Sequence, residues 1–471
     1  MIRYCIFLLL IGLSLLAQSC SKTDFLNEKP NQSLVIPNSL DDLQAILDFD
    51  RDMNGVPRGQ GLVPQLLDIA SDDYYVLAQA YRDRLDPLIK MYYSWDPKAN
   101  TDESNPDWER PYLCVFNANI VLDHLEELKP RTTDTKRWSE IRGAALFYRA
   151  HAFYQLAQVY AYPYGITDYD EYGIPLRKTG DVLETIERAP VTEVYQSIVK
   201  DLSESSNQLP LNSNYKERPT KISAWALLAR VYLNMGDYTK ALIYADSVIM
   251  EKNELLDYNL LTATAAYPFN NTDIIQTEVL FKSSPVTYPG KTSPIAIAVA
   301  RINPDLYSSY EVDDLRKNIF FTTGSTEGYR FKGSYYGTTD LFSGIALDEI
   351  YLIKAECLVR ATELDKCVEV LEYFRRHRYR KNTETYRVPS ILKMNQEGLL
   401  NFVLLERRKQ LVFRGLRWSD LRRLNREGEN ITINRIIEGE EHLLSPNNKR
   451  YAYLIPQKVM GFNPEMNQNP R

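Results

Sequence analysis

Apolar positions recur at steps of three and four through several stretches, among them "SLDDLQAILDFD", "WERPYLCVFNANIVLDHLEEL" and "SEIRGAALFYRAHAFYQLAQVYAYPYG". That period predicts helices with one buried face. Ser39 is placed to cap the first of them. The fullest pattern is "AWALLARVYLNMGDYTKALIYADSVI". Here Trp225, Leu228, Ala229 and Tyr232 share one face, and Tyr238, Ala241, Ala245 and Val248 face back from a second helix. Between them Gly236 predicts a left-handed helix end and Asp237 a cap for the next helix. Ala229 and Ala241, twelve apart, must be small where the two helices touch. The same step separates Ala355 from Cys367 in "DEIYLIKAECLVRATELDKCVEVLEYF", and Glu140–Tyr160 with Thr192–Leu209 makes a further pair. Such pairs bury their faces only by stacking on neighbours, as in tetratricopeptide-type repeats. The fold class is therefore mainly α.

Two stretches break the period. Residues 48–110 are dense in Asp, Tyr and Pro, and residues 256–346 are rich in Gly, Ser, Thr, Tyr and Pro with only short strand-like runs. Long irregular segments inside a compact chain are commonly functional. Helical scaffold is expected at about 110–255 and 347–425, followed by a C-terminal segment at 426–471; together these make one domain over 45–471.

The N-terminal pattern is of another kind. Arg3 precedes an apolar run from Ile6 to Leu16, about half of the roughly 20 residues that span a bilayer. Small Ala17 and Ser19 follow, then Cys20. A charged start, short apolar core and small-residue site describe a secretory leader. The run resembles a bacterial lipobox, which implies that residues 1–19 are cleaved and Cys20 carries the lipid. Two or more acyl chains anchor stably, since each buried methylene contributes roughly 0.8 kcal/mol. Residues 20–44, with Pro30 and Pro37, then form an extended arm from the membrane.

Charge and chemistry narrow the function. The formal net charge is −6, with 56 Lys+Arg against 62 Asp+Glu, which argues against a nucleic-acid partner. Cys114, Cys357 and Cys367 lie in helical apolar patterns and read as small core residues. His124, His151, His377 and His442 are scattered without metal-ligand spacing, so no metal or other cofactor is expected. No G-x-S-x-G elbow or phosphate-cradling glycine loop is present. Paired carboxylates for glycoside hydrolysis stay open on numbers alone. Asp72–Asp73 and Glu126–Glu127 read as solvated or capping groups, because adjacent side chains rarely converge.

Five motifs then fall in order: "FLNEKPNQSL" after the lipobox, "ARVYLNMGDYTKAL", "DEIYLIKAECLVR", "LLERRKQLVFRGLRWSDLRRLNR" and "YLIPQKVMGFNPEMNQNPR". Together they resemble the SusD/RagB family of outer-membrane nutrient-binding lipoproteins, over essentially the whole chain from Cys20. Gln410 stands where the family carries an acidic residue, Arg414 where it carries Glu, and Arg471 follows the terminal "QNP" where the family has Gly-Tyr. The resemblance implies a helical scaffold with ligand loops, lipid-anchored and displayed on the outer membrane. It also implies a non-enzymatic protein that captures oligomeric nutrient, most often glycan, for a SusC-like TonB-dependent transporter. A peptide-binding member, a ligand-free repeat scaffold and a glycosidase are the alternatives.

Ligand residues are not carried by the motifs and must be sought among loop aromatics beside polar groups. "MYYSWDPKANTDESNPDW" offers Tyr92, Tyr93, Trp95, Asp96, Lys98 and Asn100, with Trp95 foremost. The later loops offer Tyr329, Tyr335 and Tyr336, with Arg330 and Lys332 nearby. Trp108, Trp225, Trp138 and Trp418 read as structural. Glu406, Arg407, Arg408, Arg417 and Asp420 read as one partly buried ion-pair network joining two helices.

Overall fold

The computed structural model describes residues 37–55, 60–128, 134–184, 187–270, 277–323 and 327–471. Cys20, the leader and most of the arm lie outside the described residues. None of the described helices is long and apolar enough to cross a membrane.

Ser39 caps α1 (Leu40–Leu47), its hydroxyl accepting from the Asp42 N–H, and Leu43 and Leu47 enter the core. Next come α2 (Pro106–Glu127), α3 (Thr135–Tyr160) and α4 (Val191–Gln208), then α5 (Lys221–Met235) and α6 (Tyr238–Glu251). The last four long helices are α7 (Leu347–Arg360), α8 (Leu364–Arg376), α9 (Gln396–Gln410) and α10 (Arg417–Arg426). From α2 to α8 each helix packs on its successor, so the scaffold is a stack of antiparallel pairs. Gly236 ends α5 at φ 83°, and the Asp237 carboxylate accepts from the Lys240 N–H to start α6. Ala229, Ala241, Ala355 and Cys367 are buried at the helix contacts. Trp225 is a correction. It is half-buried at the scaffold surface with the Lys221 ammonium 5.1 Å from its ring centre.

Four antiparallel strand pairs interrupt the helices: β1 (Tyr74–Val76) with β3 (Ala300–Ile302), β2 (Val279–Phe281) with β6 (Ile345–Ala346), β4 (Phe321–Thr323) with β5 (Tyr329–Phe331), and β7 (Ile433–Ile437) with β8 (Glu440–Leu444). The 48–110 stretch is more ordered than its composition suggests. It holds β1 and short helices over Ala78–Arg84 and Pro87–Tyr93, the second started by Asp86 and Pro87.

The ion pairs around α9 form separate clusters rather than one network. Glu406 receives Arg316, Arg375 and Lys409, all buried. Burial alone would raise its pKa, but those three cations outweigh it and hold the carboxyl well below the usual range. Arg407 donates to Asp420 at 2.9 Å. Arg408 donates to Asp73 and Arg417 to Asp72, at 2.8 and 2.7 Å. Asp72 and Asp73 are thus not solvated surface groups. The pair is held because Arg417, from the start of α10, meets Asp72, while Arg408, from α9, bridges both carboxylates, its Nη2 3.0 Å from Asp72. The two departures near Gly415 share a partner: Asp348 accepts from Gln410 at 2.9 Å and from Arg414 at 3.3 Å.

Candidate ligand-binding face

Burial decides first which predicted residues can meet a ligand. Trp95 cannot in this conformation, being 2% exposed. Arg435 of β7 lies over it, with centroid distances of 4.5 Å to Trp95, 3.9 Å to Tyr93 and 5.1 Å to Tyr74. The guanidinium donates to the carbonyls of Tyr93, Ile69 and Ser71, and Trp95 Nε1 donates to Ala70 O at 3.0 Å. Ring faces and carbonyl dipoles, rather than a carboxylate, hold the charge. The aromatic density of "MYYSW" is therefore an anchor for the C-terminal hairpin. Tyr92, edge-on to Tyr453 at 5.5 Å, and Tyr93, whose hydroxyl accepts from the Val76 N–H, belong to the same packing.

The polar members of that stretch serve local structure. Asp96 accepts from the Lys98 N–H at 2.7 Å and closes a turn, with Lys98 exposed. Asn100 fastens the C-terminal segment, donating to Ile455 O and accepting from the Gln457 N–H, each at 3.2 Å. Tyr335 is also a correction. It is buried in a polar cluster, donating to Glu278 at 2.7 Å with Asp348 and Tyr258 3.0 Å away. Tyr336 is half-buried, edge-on to Phe342 at 5.7 Å. Of the expected aromatics, Tyr329 stays at the surface, half-buried and stacked on Tyr307 at 3.6 Å and 14°.

Tyr329 borders a surface that sequence reasoning missed. In β1 the side chains alternate, so Tyr74 and Val76 are buried while Tyr75 points outward. The antiparallel register sets Tyr75 opposite Arg301 of β3. β5 lies beside β3, and Arg301 Nε donates to Glu327 O at 2.8 Å. Gly328, at φ +82°, makes this approach possible. A Cβ there would stand 2.6 Å from the Tyr75 hydroxyl and 3.1 Å from Arg301 Cδ. Arg330 pairs with Thr322 in the β4–β5 register and alternates away from the ring face of Tyr329 and Phe331. Its charge acts on Arg301, whose pKa is lowered first by burial and next by Arg330. The outward face thus carries Tyr75 and the half-buried Arg330, with the buried Arg301 beside them, its guanidinium donating to the carbonyls of Glu327 and Ala300. The alternating "DYYV" run was the available signal, since it puts one tyrosine of the pair inside and one outside.

A cleft of about 320 Å³ lies elsewhere, between Tyr162, Tyr169, Arg422, Asn425, Asn447 and Tyr451. Its polar groups are largely committed. Arg422 donates to the carbonyls of Ala157, Gln158 and Ala161 at the end of α3, Asn425 bonds Ile431, and Tyr162 donates to Pro470 O. It reads as a junction closing a helix end. Among the described residues no group of His, Cys, Asp and Glu side chains is arranged to hold a metal ion.

Comparison with known proteins agrees with this architecture. Residues 24–233 match a family model described as "Starch-binding associating with outer membrane", and residues 332–471 match the model of the SusD family. SusD-like protein P2 of Formosa agariphila is 28% identical over 142 residues, which is 30% of this chain and only 26% of that relative. A SusD superfamily protein of Bacteroides thetaiotaomicron superposes with a TM-score of 0.73 at 22% identity, covering 92% of this chain and 100% of the other. A SusD-like carbohydrate binding protein of Bacteroides vulgatus gives 0.69 at 17%, covering 91% and 98%. With matching models over both halves and this fold throughout, the chain belongs to the SusD/RagB family.

Proposed function

We propose that this protein is a cell-surface lipoprotein of the outer membrane that binds oligomeric glycan and passes it to a SusC-like TonB-dependent transporter. Cys20 is its lipid attachment site after removal of residues 1–19; the tether, expected over 20–44, ends before Ser39 because α1 already runs from Leu40 and buries Leu43, so the binding domain starts at Ser39. It holds its ligand without altering it. The observation that carries the reading is the outward Tyr75 and Arg330, with the buried Arg301 behind them, on a loop-borne strand face of a SusD/RagB scaffold. An aromatic plane covers the C–H face of a sugar, and forked donors beside it reach hydroxyl oxygens. The carbohydrate-binding title of the Bacteroides vulgatus neighbour supports the same class. An open face rather than a closed pocket suits an oligomer, whose ends must extend past the site. Calorimetry of the mature chain against oligosaccharide and peptide panels tests the reading. Saturable saccharide binding without product formation is expected, whereas tight peptide binding with no saccharide binding would overturn it.

A further inference from the structure

Among the described residues the fully buried arginines each hold at least one partner, although Arg316, Arg407, Arg414, Arg422 and Arg435 also leave a nitrogen unbonded. Arg316, Arg375, Arg378 and Arg423 each meet at least one carboxylate, and Arg422 and Arg435 are ringed by carbonyls. Arg330 is different. It is half-buried, its guanidinium makes no hydrogen bond or ion pair among the described residues, and its Nε is shielded from solvent without a partner. A shielded donor left without a partner is unfavourable, more so on a charged group, so an unpaired guanidinium here is an unmet demand for an acceptor.

Its surroundings deepen that demand. Arg301, 3% exposed, lies close enough for the two positive charges to repel. Glu327 is the neighbouring carboxylate; its charge raises the Tyr75 pKa after burial, yet it forms no ion pair with Arg330. A positive face on a chain of net charge −6 is not a general property of its surface. Positive charge gathered around an aromatic plane attracts anionic ligands and steers them from solution. A guanidinium also matches the paired oxygens of a carboxylate or sulfate with a two-bond fork, which a single hydroxyl does not fill.

Resting on the glycan-binding reading above, we propose that the glycan is acidic: a sugar ring lies on Tyr75, and its carboxylate or sulfate is received by Arg330 with Arg301 behind it. Three oligosaccharides of matched length test this by calorimetry at low and moderate salt: a uronate oligomer, a sulfated galactan oligomer and a neutral glucan. At least one acidic oligomer is expected to bind ten-fold or more tighter than the neutral one, with the preference shrinking as salt rises. The better of the two acidic arms identifies the anionic group. Arg330→Gln is expected to bring the acidic ligand's affinity to the neutral level, and Arg330→Lys to fall between, with thermal melts confirming that both variants fold. Equal affinity for neutral and acidic oligomers overturns the inference while leaving glycan binding intact. An acidic preference that survives Arg330→Gln overturns the role of Arg330. No saccharide binding at all removes both this inference and the reading it rests on.

Discussion

At the scale of single residues, chemistry here is governed by what covers each side chain. Trp95 shows how misleading an isolated aromatic can be: its loop position and its neighbours suggest a ligand platform, yet Arg435 occupies its face. Nothing in the local sequence announces a cation arriving from a strand 340 positions away. Trp95→Phe removes the bond to Ala70 and weakens the cation–π contact. It is expected to lower stability in urea by about 1–2 kcal/mol while leaving saccharide affinity within two-fold. Two buried acids give a pH signature. Burial pushes Asp68 up to about 7 despite the Gly415 N–H, and Asp107 likewise despite the Tyr288 hydroxyl. A carboxyl raised in the fold stabilises fully below its unfolded value near 3.8, and that stability is lost as pH rises through about 7. Asp68→Asn removes this titration and keeps an acceptor for Gly415. Its stability relative to the parent is therefore expected to rise by roughly 2–3 kcal/mol between pH 5 and 8.5, read from urea midpoints.

At the scale of elements, the helical pairs were legible because their signals are local: a three-to-four period, Gly236 at a helix end, Asp237 and Ser39 as caps, and small residues at the contacts. The strands were not, because β1 and β3 are three residues each and pair across more than 220 positions. Register of that kind is set by tertiary packing rather than by any short window. The same reason hid the partners of Asp72 and Asp73, which come from α9 and α10. Glu406 is the most exacting joint. It satisfies Arg316, Arg375 and Lys409, which tie α9 to α8 and to the segment around Arg316. Glu406→Gln leaves three buried cations undercompensated and is expected to cost about 3–5 kcal/mol in chemical denaturation. Because the Glu406 pKa is lowered in the fold, its contribution is full above the ordinary glutamate value of 4.5 and declines as pH falls below it.

At the scale of the whole molecule, the scaffold and the site obey different rules. Stacked helical pairs give a rigid frame whose motifs repeat in order, so the family could be read from the sequence alone. The proposed binding face is assembled from β1, β3 and β5, which the frame brings together from separate loops, and its composition follows no motif. Tyr329 was reachable from sequence, whereas Tyr75 and Arg301 became visible only once strand register was known. We propose that this outward face, and not the aromatic core around Trp95 or the cleft at Tyr162 and Tyr169, receives the ligand. A crystal structure of the mature chain with its tightest-binding oligosaccharide decides between these places. A sugar ring against Tyr75 with an anionic group within hydrogen-bond distance of Arg330 is expected; ordered ligand in the Tyr162–Tyr169 cleft, with the β1–β3–β5 face bare, would rule out this site.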